Sequence, residues 1–159
     1  MTDHSRLEFL VNTYEDTLYR AALAILGDVC EAEDAVQDAF LRCWEKAPEF
    51  DSPEHAKAWL LRVLVNGCKS RLRSPWRRRT DSLDEAEEAA AFDRPAQTEL
   101  FRQVMALPPK YRAAVYLYYY EGYSVKETGD LLGAKASTVQ TWLMRARGQL
   151  KNKLKEAEA

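Results

Sequence analysis

From Ser5 to Leu26, apolar side chains fall at Leu7, Leu10, Val11, Tyr14, Leu18, Ala21, Ala22 and Ile25. Steps of three and four put them on one side of a helix, so the pattern predicts one amphipathic helix here. Gly27 ends it. Asp28 stands three residues before Glu31, a capping pair for a second helix that runs to about Lys46. Its inward side is Ala32, Ala35, Val36, Ala39, Phe40 and Cys43, and Pro48 stops it. After a loop at 47–51, Ser52 suits an N-cap and Pro53 the first position of a third helix. That helix carries Trp59, Leu60, Val63, Leu64 and Leu72 and runs into Arg73. Three such helices can bury one shared core, which sets a first domain at residues 1–75.

The apolar rhythm then stops. Trp76-Arg77-Arg78-Arg79 is basic, and Asp81 to Asp93 is acidic with an alanine run. Residues 76–96 are expected to be a flexible linker, with Asp84–Ala91 as its candidate helical stretch. A second domain, 97–159, opens with a short stripe of Leu100, Val104 and Leu107 that ends at Pro108-Pro109. Pro109 opens a helix holding Ala113, Ala114, Leu117 and Tyr120, closed by Gly122. Ser124-x-x-Glu127 is a capping box before a short helix that Gly133 ends. Ser137 is expected to cap a last helix with Val139, Leu143, Ala146 and Leu150 inward. Strand-type alternation is missing throughout. The expected fold is all-α: two small helical domains, a bundle of three or four helices and a helix-turn-helix domain, joined by the linker.

Composition narrows the function classes. The chain has 159 residues, 47 % hydrophobic and 30 % charged, which is globular, and six Gly with six Pro are too few for a turn-rich β fold. No apolar run approaches the ~20 residues that span a bilayer. Met1-Thr2-Asp3-His4 lacks the start of a signal peptide, so a cytoplasmic chain is expected. Cys30, Cys43 and Cys68 form no Cys-x-x-Cys pair, and His4 and His55 are the two histidines. Neither a metal nor another cofactor is expected.

The net charge of −2 hides a strong pattern. Residues 1–61 carry −8, 62–79 carry +7 without an acid, 80–99 carry −6, and 131–155 carry +6 without an acid. Two basic blocks suit two contacts with a polyanion, although helix ends also favour Lys and Arg.

A short helix, a tight turn at Gly133–Ala136 and a longer basic helix make a helix-turn-helix, whose second helix fits a major groove. With the apolar stripe inward, Gln140, Thr141, Met144, Arg145 and Arg147 lie off the core face. Gln can read adenine and Arg can read guanine through paired hydrogen bonds. In the first domain, Phe40 and Trp44 stand near Glu33, Asp34 and Asp38. Such an acidic, aromatic helix is either a docking face or core aromatics beside a solvated face. Arg62, Asn66, Lys69 and Arg73, at steps of four, three and four, share one face of the third helix and suit a nucleic-acid contact or a solvated stripe.

The runs Ala32-Glu33-Asp34-Ala35-Val36-Gln37-Asp38-Ala39-Phe40-Leu41-Arg42-Cys43-Trp44, Ala58-Trp59-Leu60-Leu61-Arg62-Val63-Leu64-Val65-Asn66 and Leu107-Pro108-Pro109-Lys110-Tyr111-Arg112, with the Ser124–Leu150 hairpin, resemble bacterial sigma factors. The likeness is to the extracytoplasmic-function (ECF) type of the sigma-70 family and covers nearly the whole chain outside the linker. It implies that Asp34, Gln37, Asp38, Phe40 and Trp44 dock on the β′ coiled coil of RNA polymerase core. It implies that the loop from Pro48 to His55, with Phe50, Asp51, Ser52 and His55, captures a flipped base of the −10 element beside Arg62, Asn66 and Lys69. It further implies −35 reading by Gln140, Thr141, Met144, Arg145 and Arg147, a contact with the β flap tip, and control by an anti-sigma factor. Two departures stand out. The loop lacks the Arg-Gly pair of many members, and Gln140 and Trp142 replace basic residues, which would set an aromatic against the sugar-phosphate edge.

Two other readings remain in view. A stand-alone helix-turn-helix regulator would bind duplex DNA unaided, usually as a dimer, but has no use for the acidic–aromatic helix. A small enzyme would need more than Asp34 and Asp38 one turn apart, for no second acidic pair or histidine set completes a metal site.

Overall fold

The computed structural model describes residues 3–74 and 99–158. The expected linker, with its candidate helix at Asp84–Ala91, lies outside them. The chain divides into two compact units, Met1–Asp81 and Ser82–Ala159.

In the first unit the predicted stripes become α1 (Asp3–Leu26), α2 (Val29–Lys46) and α3 (Pro53–Arg73). Gly27, at φ 72°, turns the chain out of α1. Its N–H closes the last turn on the Leu23 carbonyl at 2.8 Å. Asp28 caps α2, its carboxylate accepting the Glu31 N–H at 2.7 Å. Ser52 caps α3 in the same way, accepting from the His55 N–H at 3.1 Å, with Pro53 at the first position. The six α2 residues expected inward are all buried. Three of them are alanines, whose small size lets α1 and α3 come close, and each helix packs on the other two. Leu18, Leu60 and Leu61 are fully enclosed; each such burial stabilises the bundle by roughly 1.5–3 kcal/mol.

Helix α3 buries Leu60 and Leu64 as expected, but its core face is turned away from Trp59, Val63 and Leu72, which are each half-buried. Ala56, Leu60, Leu61, Leu64, Val65 and Cys68 point inward. The apolar side chains of Trp59 and Val63 are therefore available on the flank toward α2.

The second unit holds α4 (Glu99–Met105), α5 (Pro109–Val115), a π-turn (Tyr116–Tyr120), α6 (Val125–Leu132) and α7 (Ala136–Glu158). Arg112 ties α5 to the end of α4 by donating to the carbonyls of Met105 (3.0 Å) and Leu107 (3.1 Å), two acceptors that a helix end leaves open. Leu107, Tyr111 and Ala146 form a core cluster against which Val104, Val115, Trp142 and Leu150 pack.

Four residues of the second unit depart from the expected arrangement. Leu100 is exposed rather than part of a core stripe. Tyr120 is 73 % exposed, because the π-turn, closed by the Glu121 N–H on the Tyr116 carbonyl, shifts the helical phase. Ser137 does not cap α7. The helix begins at Ala136, Val139 donates to the Lys135 carbonyl at 3.0 Å, and the Ser137 carbonyl accepts from the Thr141 hydroxyl. Trp142 packs on the core cluster instead of facing outward, with the Lys110 ammonium over its ring. The capping box at Ser124 and Glu127 forms as expected, with bonds of 2.9 and 3.0 Å. Gly133, at φ 71°, ends α6.

Candidate nucleic-acid and docking interfaces

Helix α2 has two outer flanks of different chemistry. Toward α1, an open groove of about 490 Å³ is lined by His4, Leu7, Val11, Glu15, Val36, Gln37, Phe40, Leu41 and Trp44. Three of the expected docking residues, Gln37, Phe40 and Trp44, come together here. Phe40 is buried and forms the floor, and Trp44 is 47 % exposed. Asp34 is exposed on the same row of α2, three residues before Gln37. Leu41, at 57 % exposure, belongs to the groove and is not among the expected residues; a leucine lying off the Ala32-Ala35-Val36-Ala39-Phe40-Cys43 stripe is the signal the sequence offers. Asp38 is placed differently. Its carboxylate meets Arg71 of α3 at 2.7 Å, on the other flank of α2.

Toward α3, a second groove of about 340 Å³ is lined by Arg42, Lys46, Trp59, Arg62, Val63, Asn66, Gly67 and Ser70. Arg62 and Asn66 are where their spacing puts them. The facing wall, Arg42 and Lys46, comes from α2 and escapes any reading confined to one helix. Three cations around an aromatic surface suit a phosphate backbone with a base stacked beside it. Lys69 is not part of this groove. It is half-buried, and its ammonium pKa is pushed down, first by burial and then by Arg73.

The loop before α3 is bonded to the first turns of that helix. The Phe50 ring stands edge-on to His55 (5.3 Å between centroids) and to Trp59 (5.8 Å). The Asp51 N–H donates to His55 Nδ1 at 3.2 Å. The Asp51 carboxylate lies 3.9 Å from the same nitrogen. Ser52 is engaged as the cap of α3. Phe50, Asp51 and Ser52 of the loop thus sit in one constellation with His55, which belongs to the first turn of α3 and not to the loop.

In the second unit, Val139, Leu143 and Ala146 of α7 are buried, and Gln140, Met144 and Arg145 are exposed. Thr141 is half-exposed, its hydroxyl bonded to its own helix. Arg147 sits on a flank, where its Nη1 donates to the Tyr119 hydroxyl at 2.5 Å. The outer face therefore unites four of the five expected readers and leaves Arg147 at its edge. Among the described residues no cluster of His, Cys, Asp and Glu could hold a metal, and no helix is long and apolar enough to cross a membrane.

Residues 10–78 match the family model for Sigma-70 region 2, and residues 97–150 match that for Sigma-70, region 4. A helical bundle of the first kind and a helix-turn-helix of the second on one chain define a two-domain protein of the sigma-70 class. The ECF RNA polymerase sigma factor SigM of Mycobacterium tuberculosis is 34 % identical over 152 residues, covering 93 % of this chain and 76 % of that protein. The ECF RNA polymerase sigma factor SigW of Bacillus subtilis is 27 % identical, covering 97 % of this chain and 91 % of that one. The chain belongs to the ECF sigma factors. Among solved structures, CnrH in complex with the cytosolic domain of CnrY superposes with a TM-score of 0.64 at 25 % identity, over 98 % of this chain and 91 % of that chain. The fold is also that of the sigma factor RpoE in complex with the anti-sigma factor NepR from Bartonella quintana, with a TM-score of 0.65 at 24 % identity, over 91 % and 94 % of the two chains.

Proposed function

We propose that this chain brings core RNA polymerase to a particular set of promoters, docking through the α1–α2 groove and meeting DNA through the α2–α3 groove, the 48–55 segment and the outer face of α7. The observation that carries the reading is the division of α2 into an apolar flank with an aromatic rim and a cationic flank. One helix then holds polymerase on one side and presents DNA-binding side chains on the other. The candidate docking partner on polymerase is the β′ coiled coil for the first unit and the β flap tip for the second. Residues 1–75 and 97–159 act as separate modules joined by 76–96.

The division of labour follows from chemistry. Gln140, Thr141, Met144 and Arg145 read the −35 duplex in the major groove. Phe50, Asp51, Ser52 and His55 surround an unpaired −10 base, while Arg42, Lys46, Arg62 and Asn66 hold its strand. The polymerase performs the catalysis, and this chain supplies no catalytic step. The acidic first half repels free DNA, so tight binding needs polymerase to hold both modules at the promoter spacing. An anti-sigma factor that covers the α1–α2 groove would keep the chain silent in the cytoplasm.

The test is transcription by core polymerase with and without this chain, paired with permanganate footprinting of unpaired thymines. Asn66 carries no charge, so Asn66→Ala is expected to leave closed binding nearly unchanged and to slow opening. Specific, tight duplex binding by the free chain, unaffected by polymerase, would overturn the proposal in favour of a stand-alone regulator.

A further inference from the structure

The loop between α2 and α3 begins at a strained residue. Ala47 has φ 43° and ψ 53°, and among the described residues it alone combines a positive φ with a side chain. Such a conformation persists where surrounding contacts over-determine it. Its own N–H is held by the Cys43 carbonyl at 2.9 Å. The residues after it are held partly by α3 and partly by α1, a helix with no expected part in DNA binding.

Two α1 side chains reach the loop. The Arg6 guanidinium donates to the Pro48 carbonyl, next to the strained residue, and lies 5.6 Å over the Phe50 ring. The Tyr14 hydroxyl donates to the Pro53 carbonyl at 3.0 Å, where the loop passes into α3. Eight residues along a helix span roughly 12 Å, so the two side chains grip the two ends of the loop. Between the grips, Phe50 is set against His55 and Trp59, and the Asp51 N–H is given to His55.

We infer that Arg6 and Tyr14 are positioning residues for promoter opening: from α1 they hold the 48–55 segment in the one shape that receives an unpaired −10 base. The inference rests on the proposed reading of that segment. Its physical content is pre-organisation. A loop already in its receiving shape loses little freedom on capture, whereas a loop in that shape a tenth of the time binds about tenfold more weakly. Neither side chain needs to touch DNA.

The experiment uses full-length protein assembled with core polymerase. Tyr14→Phe removes one hydroxyl and keeps the ring. Arg6→Leu removes the carbonyl bond and the cation over Phe50, and Arg6→Lys retains a donor and a charge. A further variant replaces residues 49–52 with Gly and Ser at equal length. The readouts are affinity of holoenzyme for a fluorescent single-stranded −10 oligonucleotide, discrimination among base changes in it, affinity for core polymerase, and thermal unfolding. Tyr14→Phe and Arg6→Leu are expected to lower oligonucleotide affinity on the order of tenfold and to blunt base discrimination. Core affinity should stay unchanged, and Arg6→Lys should recover part of the loss. If the Gly-Ser loop abolishes discrimination while Tyr14→Phe and Arg6→Leu both preserve it, the inference is overturned and the reading of the loop survives. If the Gly-Ser loop itself preserves discrimination, the reading of the loop fails and the inference falls with it.

Discussion

Replacing Gly129 by alanine sets two effects of opposite sign against each other. Gly129 lies inside α6, where alanine is favoured over glycine by about 1 kcal/mol on helix propensity alone. A Cβ at this position would stand 2.5 Å from the Ala134 carbonyl oxygen and 3.5 Å from its carbon. Both clashing groups are backbone, so no side chain can swing away. The turn after α6 would have to open, loosening the 2.9 Å bond from the Ala134 N–H to the Gly129 carbonyl. Overpacking costs roughly 1–3 kcal/mol and the lost bond about another 1. The net expectation for Gly129→Ala is a loss of about 2 kcal/mol, roughly 30-fold in the local opening equilibrium, after the propensity gain is counted. Gly148 of α7 is the internal control, because a Cβ there meets nothing within 4 Å. Gly148→Ala should stabilise α7 by up to about 1 kcal/mol. Native-state hydrogen exchange of α6 and α7 amides in the full-length protein reads this unit separately from the other. Greater protection of α6 in Gly129→Ala would refute the close approach on which the helix-turn-helix geometry depends.

Other expectations are as direct. The Asp38–Arg71 pair is exposed, so a double-mutant cycle with alanine should return less than about 1 kcal/mol of coupling; Asp38→Ala should then lower core affinity by more than its stability loss if Asp38 also meets polymerase. The Glu127 carboxyl is held below the usual carboxylate range by the Ser124 N–H and hydroxyl. A depressed folded-state pKa stabilises above the unfolded value and is lost as pH falls through the folded one. Fraying at the α6 N-terminus should therefore appear at acid pH and be insensitive to pH in Glu127→Gln, as seen by amide exchange. Arg145→Ala should cost about 1–3 kcal/mol at one −35 position and relax preference there, without impairing opening on a pre-melted template.

How much of this is legible in the sequence alone depends on how clean the local signal is. The α2 stripe can be read because alanines and a single phenylalanine alternate with charges. The caps at Asp28, Ser52 and Ser124 can be read because each is a short polar residue just before a periodic run. Helix α3 resists the same reading. From Trp59 to Val65 only Arg62 is polar, so several faces fit the core equally well, and Leu61 with Val65 takes the place expected for Trp59 and Val63. The cationic groove is hidden for another reason: Arg42 and Lys46 mean little until α3 is seen beside them. Arg6 carries no sequence signal at all, since its role comes from a carbonyl 42 residues away.

The π-turn at Tyr116–Tyr120 has a consequence for chain length. A turn closed from residue i to i+5 holds one residue more than an α-turn. The stretch between Pro109 and the Ser124 cap thus contains a spare residue, stored as a bulge where the tyrosine rings at 119 and 120 lean outward. A sequence shorter by one in this stretch could run as plain α-helix and deliver its capping serine to the same place. Deleting one residue within Tyr116–Tyr120 of this chain should therefore convert the bulge to plain α-helix and leave the Ser124 capping box and the turn at Gly133 in place.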